Sequence, residues 1–216
     1  MSSEDIKFAV VAMSAVFFVV DPLAAIPIFL TITSGDLTEA KKRIAARTSL
    51  AVLITLTTFA LAGGLIFKAF GISLGAFKIA GGLMIFLMAV DMMRAQPSPT
   101  RSTAEEQEES VNKDDVAIVP MAIPMLSGPG AIATVMVLMS RAAWKPVQVV
   151  SVFFAIASTA LATWLLLRAS AHAERVLSKT TIRVVERIMG LLLAAIAVEF
   201  VIGGLRDLLP TMQGHP

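Results

Sequence analysis

Few residues in this 216-residue chain have the type and setting to do chemistry. Asp21 interrupts an otherwise uncharged apolar run, Phe8–Thr33, and is followed at once by Pro22 and then by Pro27. A second run, Val116–Ser140, carries Pro120, Pro124 and Gly128-Pro129-Gly130 and no charge. Two more acids stand in apolar surroundings, in Ala89-Val90-Asp91 and Ala197-Val198-Glu199. Covalent catalysis is poorly supplied. There is no cysteine, and the two histidines, His172 and His215, fall in a predicted connection and in the tail, so a Ser–His pair at depth is not expected. Asp21 and Asp91 could form an acid pair only if their predicted depths agreed, and they differ.

What the prolines and glycines supply instead is recognition through freed backbone. Proline has no N–H and clashes with the preceding helical turn, and it pushes the residue before it out of helical geometry. Gly128 and Gly130 add freedom on either side of Pro129. In hydrocarbon the freed groups must find partners, so a break belongs inside the protein or beside a water-filled cavity. New helices are expected to start at the breaks, capped by Asp21 ahead of Pro22, and by Ser127 or Gly128 ahead of Pro129. Two half-helices starting near mid-depth would offer unpaired N–H groups and positive dipole ends, a setting that suits a carboxylate. The candidate substrate-binding residues are therefore Asp21, Pro22, Leu23, Pro27 and Thr31 in the first run, and Ser127, Gly128, Pro129, Gly130, Ala131 and Thr134 in the second. An ordinary proline kink in each run is the competing reading.

Asp21 is costly at mid-membrane and a functional candidate on that ground. It could hold a proton, bind a cation or only cap the second half-helix. Thr31 and Thr134 could donate to a substrate or bond their own backbone four residues back. Asp91, with Arg94 one turn on in i,i+3 register, and Glu199 are secondary candidates, beside Asp21, for coupling to an ion. No cofactor or metal is expected, and the choice between H+ and Na+ as coupling ion is open.

The surrounding elements follow from composition. Hydrophobic residues make up 56% of the chain, against about 45–50% in soluble domains even with glycine counted. Charged residues are 16%, against about 25%, and the mean hydropathy is +0.81. A soluble domain of this size could not hide so much apolar surface. A soluble enzyme, a disordered chain and a nucleic-acid-binding domain are excluded, and an integral membrane protein in contact with the lipid bilayer remains. The acidic start, Met1-Ser2-Ser3-Glu4-Asp5, and the long run after it do not read as a cleaved signal peptide.

Six segments are long enough to cross about 30 Å of hydrocarbon. Their approximate bounds are 8–33, 48–67, 69–93, 116–140, 146–168 and 182–206. Residues 95–115, with Glu105-Glu106-Gln107-Glu108-Glu109, read as an acidic linker between a first repeat (1–94) and a second (116–209), followed by a tail (210–216). Twelve Lys and Arg fall in the odd connections and six on the other side. This places the odd connections and the linker in the cytoplasm and both termini outside.

The halves resemble each other. At an offset of 108, Gly82-Leu83 meets Gly190-Leu191, and Ala89-Val90-Asp91 meets Ala197-Val198-Glu199; at 107, Pro22 meets Pro129, and Ala25-Ile26-Pro27 matched to Ala122-Ile123-Pro124 is the alternative register at the prolines. A repeat with an odd number of spans must insert in opposite senses. The expected fold is an all-α polytopic membrane protein with six transmembrane helices in an inverted 3+3 repeat, the first helix of each half broken. The glycine pairs, such as Gly63-Gly64, Gly81-Gly82 and Gly203-Gly204, suit close helix approach and leave room for a homo-oligomer. Thr48, Ser49, Thr55, Thr57 and Thr58 in the second span could bond neighbouring helices.

The chain resembles the MarC/SnatA family of bacterial and archaeal inner-membrane proteins. The resemblance rests on Asp21-Pro22-Leu23 through Ile26-Pro27-Ile28-Phe29-Leu30, on Phe70-Gly71-Ile72-Ser73 with Ile79-Ala80-Gly81-Gly82-Leu83, and on Val119-Pro120-Met121-Ala122-Ile123-Pro124 with Gly128-Pro129-Gly130-Ala131-Ile132-Ala133. It covers nearly the whole chain. It implies six helices, a location in the inner membrane and, for some members, transport of small neutral amino acids. The expected function is a secondary transporter, not an enzyme, that works by alternating access and holds its substrate between the two half-helix starts. A non-transporting membrane scaffold or tolerance factor is the alternative.

Overall fold

The computed structural model describes residues 2–33, 36–94, 117–143, 145–171 and 179–212. The acidic linker lies outside them, as do the last residues of the tail and the side chains of Pro27 and Thr31. All the elements described are helical: α1 (Ser3–Val20), α2 (Pro22–Ile32), α3 (Thr38–Phe70), α4 (Leu74–Met93), the π-helical α5 (Ala117–Leu126), α6 (Pro129–Ala142), α7 (Pro146–Ser170) and α8 (Lys179–Met212).

Local chemistry sets the ends of these helices. Ser2 and Asp5 form a reciprocal capping box that opens α1. Gly71 ends α3 in the left-handed region (φ 64°), with its N–H donating to the Phe67 carbonyl. Ser73 then caps α4, its Oγ accepting from the Ala76 N–H at 3.1 Å. Pro146 opens α7 at a position where its missing N–H costs nothing.

Among the described residues, five helical segments are long and apolar enough to cross a membrane: Ser3–Leu30 (across the break at Asp21), Thr38–Phe70, Leu74–Met93, Pro146–Ser170 and Arg187–Leu209. α6, with 14 residues, is too short alone, since at about 1.5 Å per residue it covers about 21 Å. Several helices outrun their apolar runs. The expected span 48–67 is the core of a 33-residue helix whose first turns carry Lys41, Lys42, Arg43 and Arg47, so these charges extend a helix and do not sit in a connection. The span expected at 69–93 starts at Leu74, because Gly71 and Ser73 punctuate the chain. α8 likewise begins at Lys179 and ends at Met212, beyond 182–206. Large apolar side chains such as Leu50, Ile54, Leu61 and Leu65 on α3, and Val150, Phe154, Leu161 and Leu165 on α7, point outward, as lipid-facing helices require.

The halves of the chain pack mostly against each other. α4 lies along α8, α7 contacts α1, α2 and α3, and α3 contacts α5 and α6. The α4–α8 seam is built from small residues that recur every seven positions: Gly75, Gly82 and Ala89 on one helix, Gly190, Ala197 and Gly204 on the other. They meet in antiparallel order. A Cβ on Gly75 would sit 2.9 Å from the Gly204 carbonyl, one on Gly82 would sit 2.8 Å from the Ala197 carbonyl, and one on Gly190 would sit 2.9 Å from the Ala89 carbonyl. Between helices in lipid, such backbone approach supplies van der Waals contact where the hydrophobic effect supplies little. Near the end of this seam Lys78, only 4% exposed, forms an ion pair with Asp207.

Two outcomes are expected. Gly82→Ala and Gly190→Ala should both lower the melting temperature in detergent, because each methyl group meets a carbonyl oxygen inside normal contact distance. Gly64→Ala, with nothing within 4 Å, should leave it unchanged or raise it, since alanine favours a helix over glycine by about 1 kcal/mol. Asp207→Asn should destabilise by about 2 kcal/mol, below the roughly 3–5 kcal/mol of a fully buried broken pair, because the Asp207 side chain keeps partial water contact. Lys78→Met combined with Asp207→Leu should recover most of that loss in the same melting assay.

Candidate functional site

Both expected breaks occur, and each divides a long apolar segment near its middle. At the first, Asp21 is buried and adopts left-handed geometry (φ 53°, ψ 67°). It serves two helices at once. Its N–H donates to the Phe17 carbonyl at 3.0 Å and closes α1, while its Oδ1 accepts from the Ala24 N–H at 3.3 Å and caps α2. Pro22 takes the first position of α2, where its missing donor leaves no helical bond unmade. An aspartate tolerates the left-handed region better than most residues because its short side chain can bond locally.

The second break is built differently. The segment before it, α5, is π-helical rather than α-helical. It carries Pro120 and Pro124, which have no N–H to donate, and it ends with the Ser127 N–H donating to the Ala122 carbonyl, five residues back, at 2.8 Å. Gly128 is the N-cap of α6 in extended geometry, Pro129 follows inside the first turn, and no side chain caps this end. The Gly128 carbonyl accepts from the Ile132 N–H at 3.0 Å, so the helix proper begins there. The Ser127 side chain is 1% exposed, and its Oγ has no hydrogen-bond partner among the described residues.

The two breaks are neighbours. A Cβ on Gly130 would lie 2.9 Å from Ile85 Cγ1, 3.4 Å from Met88 Sδ and 3.5 Å from Val19 Cγ1, two residues before Asp21. α1 also contacts α6, and α2 contacts α5. Cross-links fix their sense. The Thr48 hydroxyl, in the first third of α3, donates to the Ala117 carbonyl that opens α5 (3.1 Å), so α2, which leads into α3, ends on the side where α5 begins. The Ser49 hydroxyl donates to the Ala160 carbonyl and ties α3 to α7. Thr48 and Ser49 thus bond neighbouring helices as expected, whereas the Thr58 hydroxyl donates to the Ile54 carbonyl of its own helix at 2.8 Å.

Not every candidate stands at this meeting point in the expected way. The Thr134 hydroxyl donates to the carbonyl of Gly130, one turn back on its own helix, at 2.8 Å, and is not turned to a ligand. Glu199 is exposed on α8, while Asp91 is half-buried near the end of α4. Residue types alone do not single out Thr159 on α7. It is buried, its Oγ1 lacks a partner among the described residues, and its helix packs on both α1 and α2. Among the described residues no group of three or more His, Cys, Asp or Glu is placed to hold a metal.

The double role of Asp21 separates backbone from charge. Asp21→Asn keeps a capping oxygen and the best tolerance of left-handed geometry after glycine, so it should fold with near-wild-type stability. Asp21→Ala loses the cap, worth about 1 kcal/mol, and adds left-handed strain of about 1–2 kcal/mol. Melting curves of the two variants in detergent check this, and equal losses would refute the capping account.

Residues 6–209 match the profile of the MarC family of integral membrane proteins. A UPF0056 membrane protein of Pyrococcus abyssi is 36% identical over 203 residues, covering 94% of this chain and 96% of its own length. YvbG of Bacillus subtilis is 35% identical over 207 residues, 95% of this chain and 98% of its own. YhcE of Escherichia coli is 34% identical over 195 residues, 90% of each chain. Both are UPF0056 membrane proteins. No solved structure matches the chain. With a family match over nearly its whole length and relatives of this similarity in bacteria and archaea, the chain belongs to the MarC family of integral membrane proteins.

Proposed function

We propose that the chain is a secondary transporter of small neutral amino acids, not an enzyme, built as an inverted 3+3 repeat with six membrane crossings. One observation carries the reading: two interrupted helices, one in each half, start their second segments beside each other near mid-length, with Val19 of the first against Gly130 of the second. Interrupted helices in corresponding spans are where transporters of this architecture bind substrate. On this reading α5 and α6 together make the sixth crossing, and α2 and α6 run from the centre to opposite faces.

The α4–α8 seam supports the inverted repeat. The contact of Gly82 with the Ala197 carbonyl and that of Gly190 with the Ala89 carbonyl exchange under the 108-residue offset. A two-fold axis in the membrane plane accounts for both contacts. Rocking of one repeat against the other would then open the meeting point of the half-helices to each side in turn. The distribution of Lys and Arg favours both termini outside. Asp21, buried at the meeting point, is the candidate coupling residue for H+ or Na+.

Purified protein in proteoliposomes should move labelled alanine or glycine above empty vesicles when a proton or sodium gradient is imposed. Asp21→Asn should abolish coupling to the gradient while the protein stays folded. A folded wild type that moves no small neutral amino acid under either gradient refutes the transporter reading. Cells complemented equally by wild type and by Asp21→Asn would favour the scaffold alternative.

A further inference from the structure

The two half-helix starts are not equivalent. The α2 end carries its own carboxyl group: Asp21 accepts from Ala24 N–H, so the positive end of this helix already faces an acid. The α6 end has none, because Gly128 has no side chain with which to cap. Pro129 removes one first-turn donor, which leaves the N–H groups of Gly130 and Ala131, as first-turn amides, without intrahelical acceptors. Beside them stands Ser127, whose N–H is committed to Ala122 while its Oγ is buried without a partner among the described residues. A buried hydroxyl left unmatched costs stability unless something completes it.

We propose that this asymmetry orients a zwitterion: the α6 end, with Ser127 Oγ and the Gly130 and Ala131 amides, seats the carboxylate, and the α2 end, through Asp21, faces the ammonium group. The assignment rests on the transporter reading and deepens it. The reverse orientation would turn a substrate carboxylate toward the acid end of the site, and like charges repel more strongly in a medium poor in water. The surroundings bear on the substituent: Gly130 packs on Val19, Ile85 and Met88, all buried and apolar, so a charged substituent beside this end would be desolvated without a partner.

The test is inhibition of alanine exchange across proteoliposomes with no imposed gradient, which does not need the coupling expected to be lost in Asp21→Asn, by two half-substrates: propionate, which has only the carboxylate, and alaninamide, which keeps the ammonium but has no carboxylate. Ser127→Ala should weaken alanine and propionate by about 10-fold or more, the loss of a hydrogen bond to a charged group, and leave inhibition by alaninamide unchanged. Asp21→Asn should weaken alaninamide and leave propionate unchanged or improved. This opposed pattern is one that a general loss of packing would not produce. If wild type transports alanine but either variant shifts both inhibitors alike, or Ser127→Ala leaves the KM for alanine unchanged, the orientation is overturned and the transporter reading stands. A folded wild type without flux of any amino acid overturns both.

Discussion

In hydrocarbon an unpaired peptide group has no water to turn to, and this constraint governs the whole fold. A chain that crosses as uninterrupted helices satisfies it automatically. This chain interrupts two of its helices near the middle and so must satisfy the freed groups locally. At the first interruption a single residue does most of that work: Asp21 closes α1 with its N–H and opens α2 with its carboxyl oxygen. Its left-handed backbone is a local strain that the two bonds offset. At the second, the repair is spread over a π-helical segment, a glycine cap and a proline, and it leaves Ser127 Oγ incomplete.

These interruptions need rigid surroundings, and the α4–α8 seam supplies them. Backbones in contact at Gly75, Gly82 and Gly190 leave no space for adjustment without loss of contact, and the pair of buried Lys78 with partly exposed Asp207 closes one end. α4 also carries Ile85 and Met88, which press on Gly130, so the seam is linked directly to the second break. Gly81 adds a further close approach, with a Cβ there 2.6 Å from the Cβ of Ala133 on α6. The element that holds the halves together thus also positions the start of α6.

Much of this was legible from residue types. Proline and glycine in apolar runs marked both breaks, and Asp21 before Pro22 marked the cap, because proline's missing donor and aspartate's acceptor have local consequences that tertiary structure cannot reverse. The glycine pairs marked close approach, though only the coordinates distinguish Gly82, whose neighbour is a backbone carbonyl, from Gly64, which faces open space. Helix ends were misjudged because hydropathy reports what lipid touches and not where hydrogen bonding stops; α3 runs on through Lys41 and Arg47 into polar territory. The π-helical geometry of α5 was hidden as well, since no residue type signals it. The pairing of Lys78 with Asp207 joins positions far apart in the chain, which a one-dimensional reading cannot connect.

The difference between the two breaks has a physical consequence for any two-fold design. Two equal half-helix ends would attract an anion equally and could not tell one end of a small zwitterion from the other. Placing Asp21 ahead of one restarted helix and Gly128 ahead of the other breaks that degeneracy, while in both a proline takes the first turn of the new helix. The acid also stabilises the end that carries it, so the asymmetry leaves one terminus satisfied and the other open. An open terminus beside an unmatched buried hydroxyl is a local excess of donor capacity, and a bound carboxylate is the chemical complement that removes it.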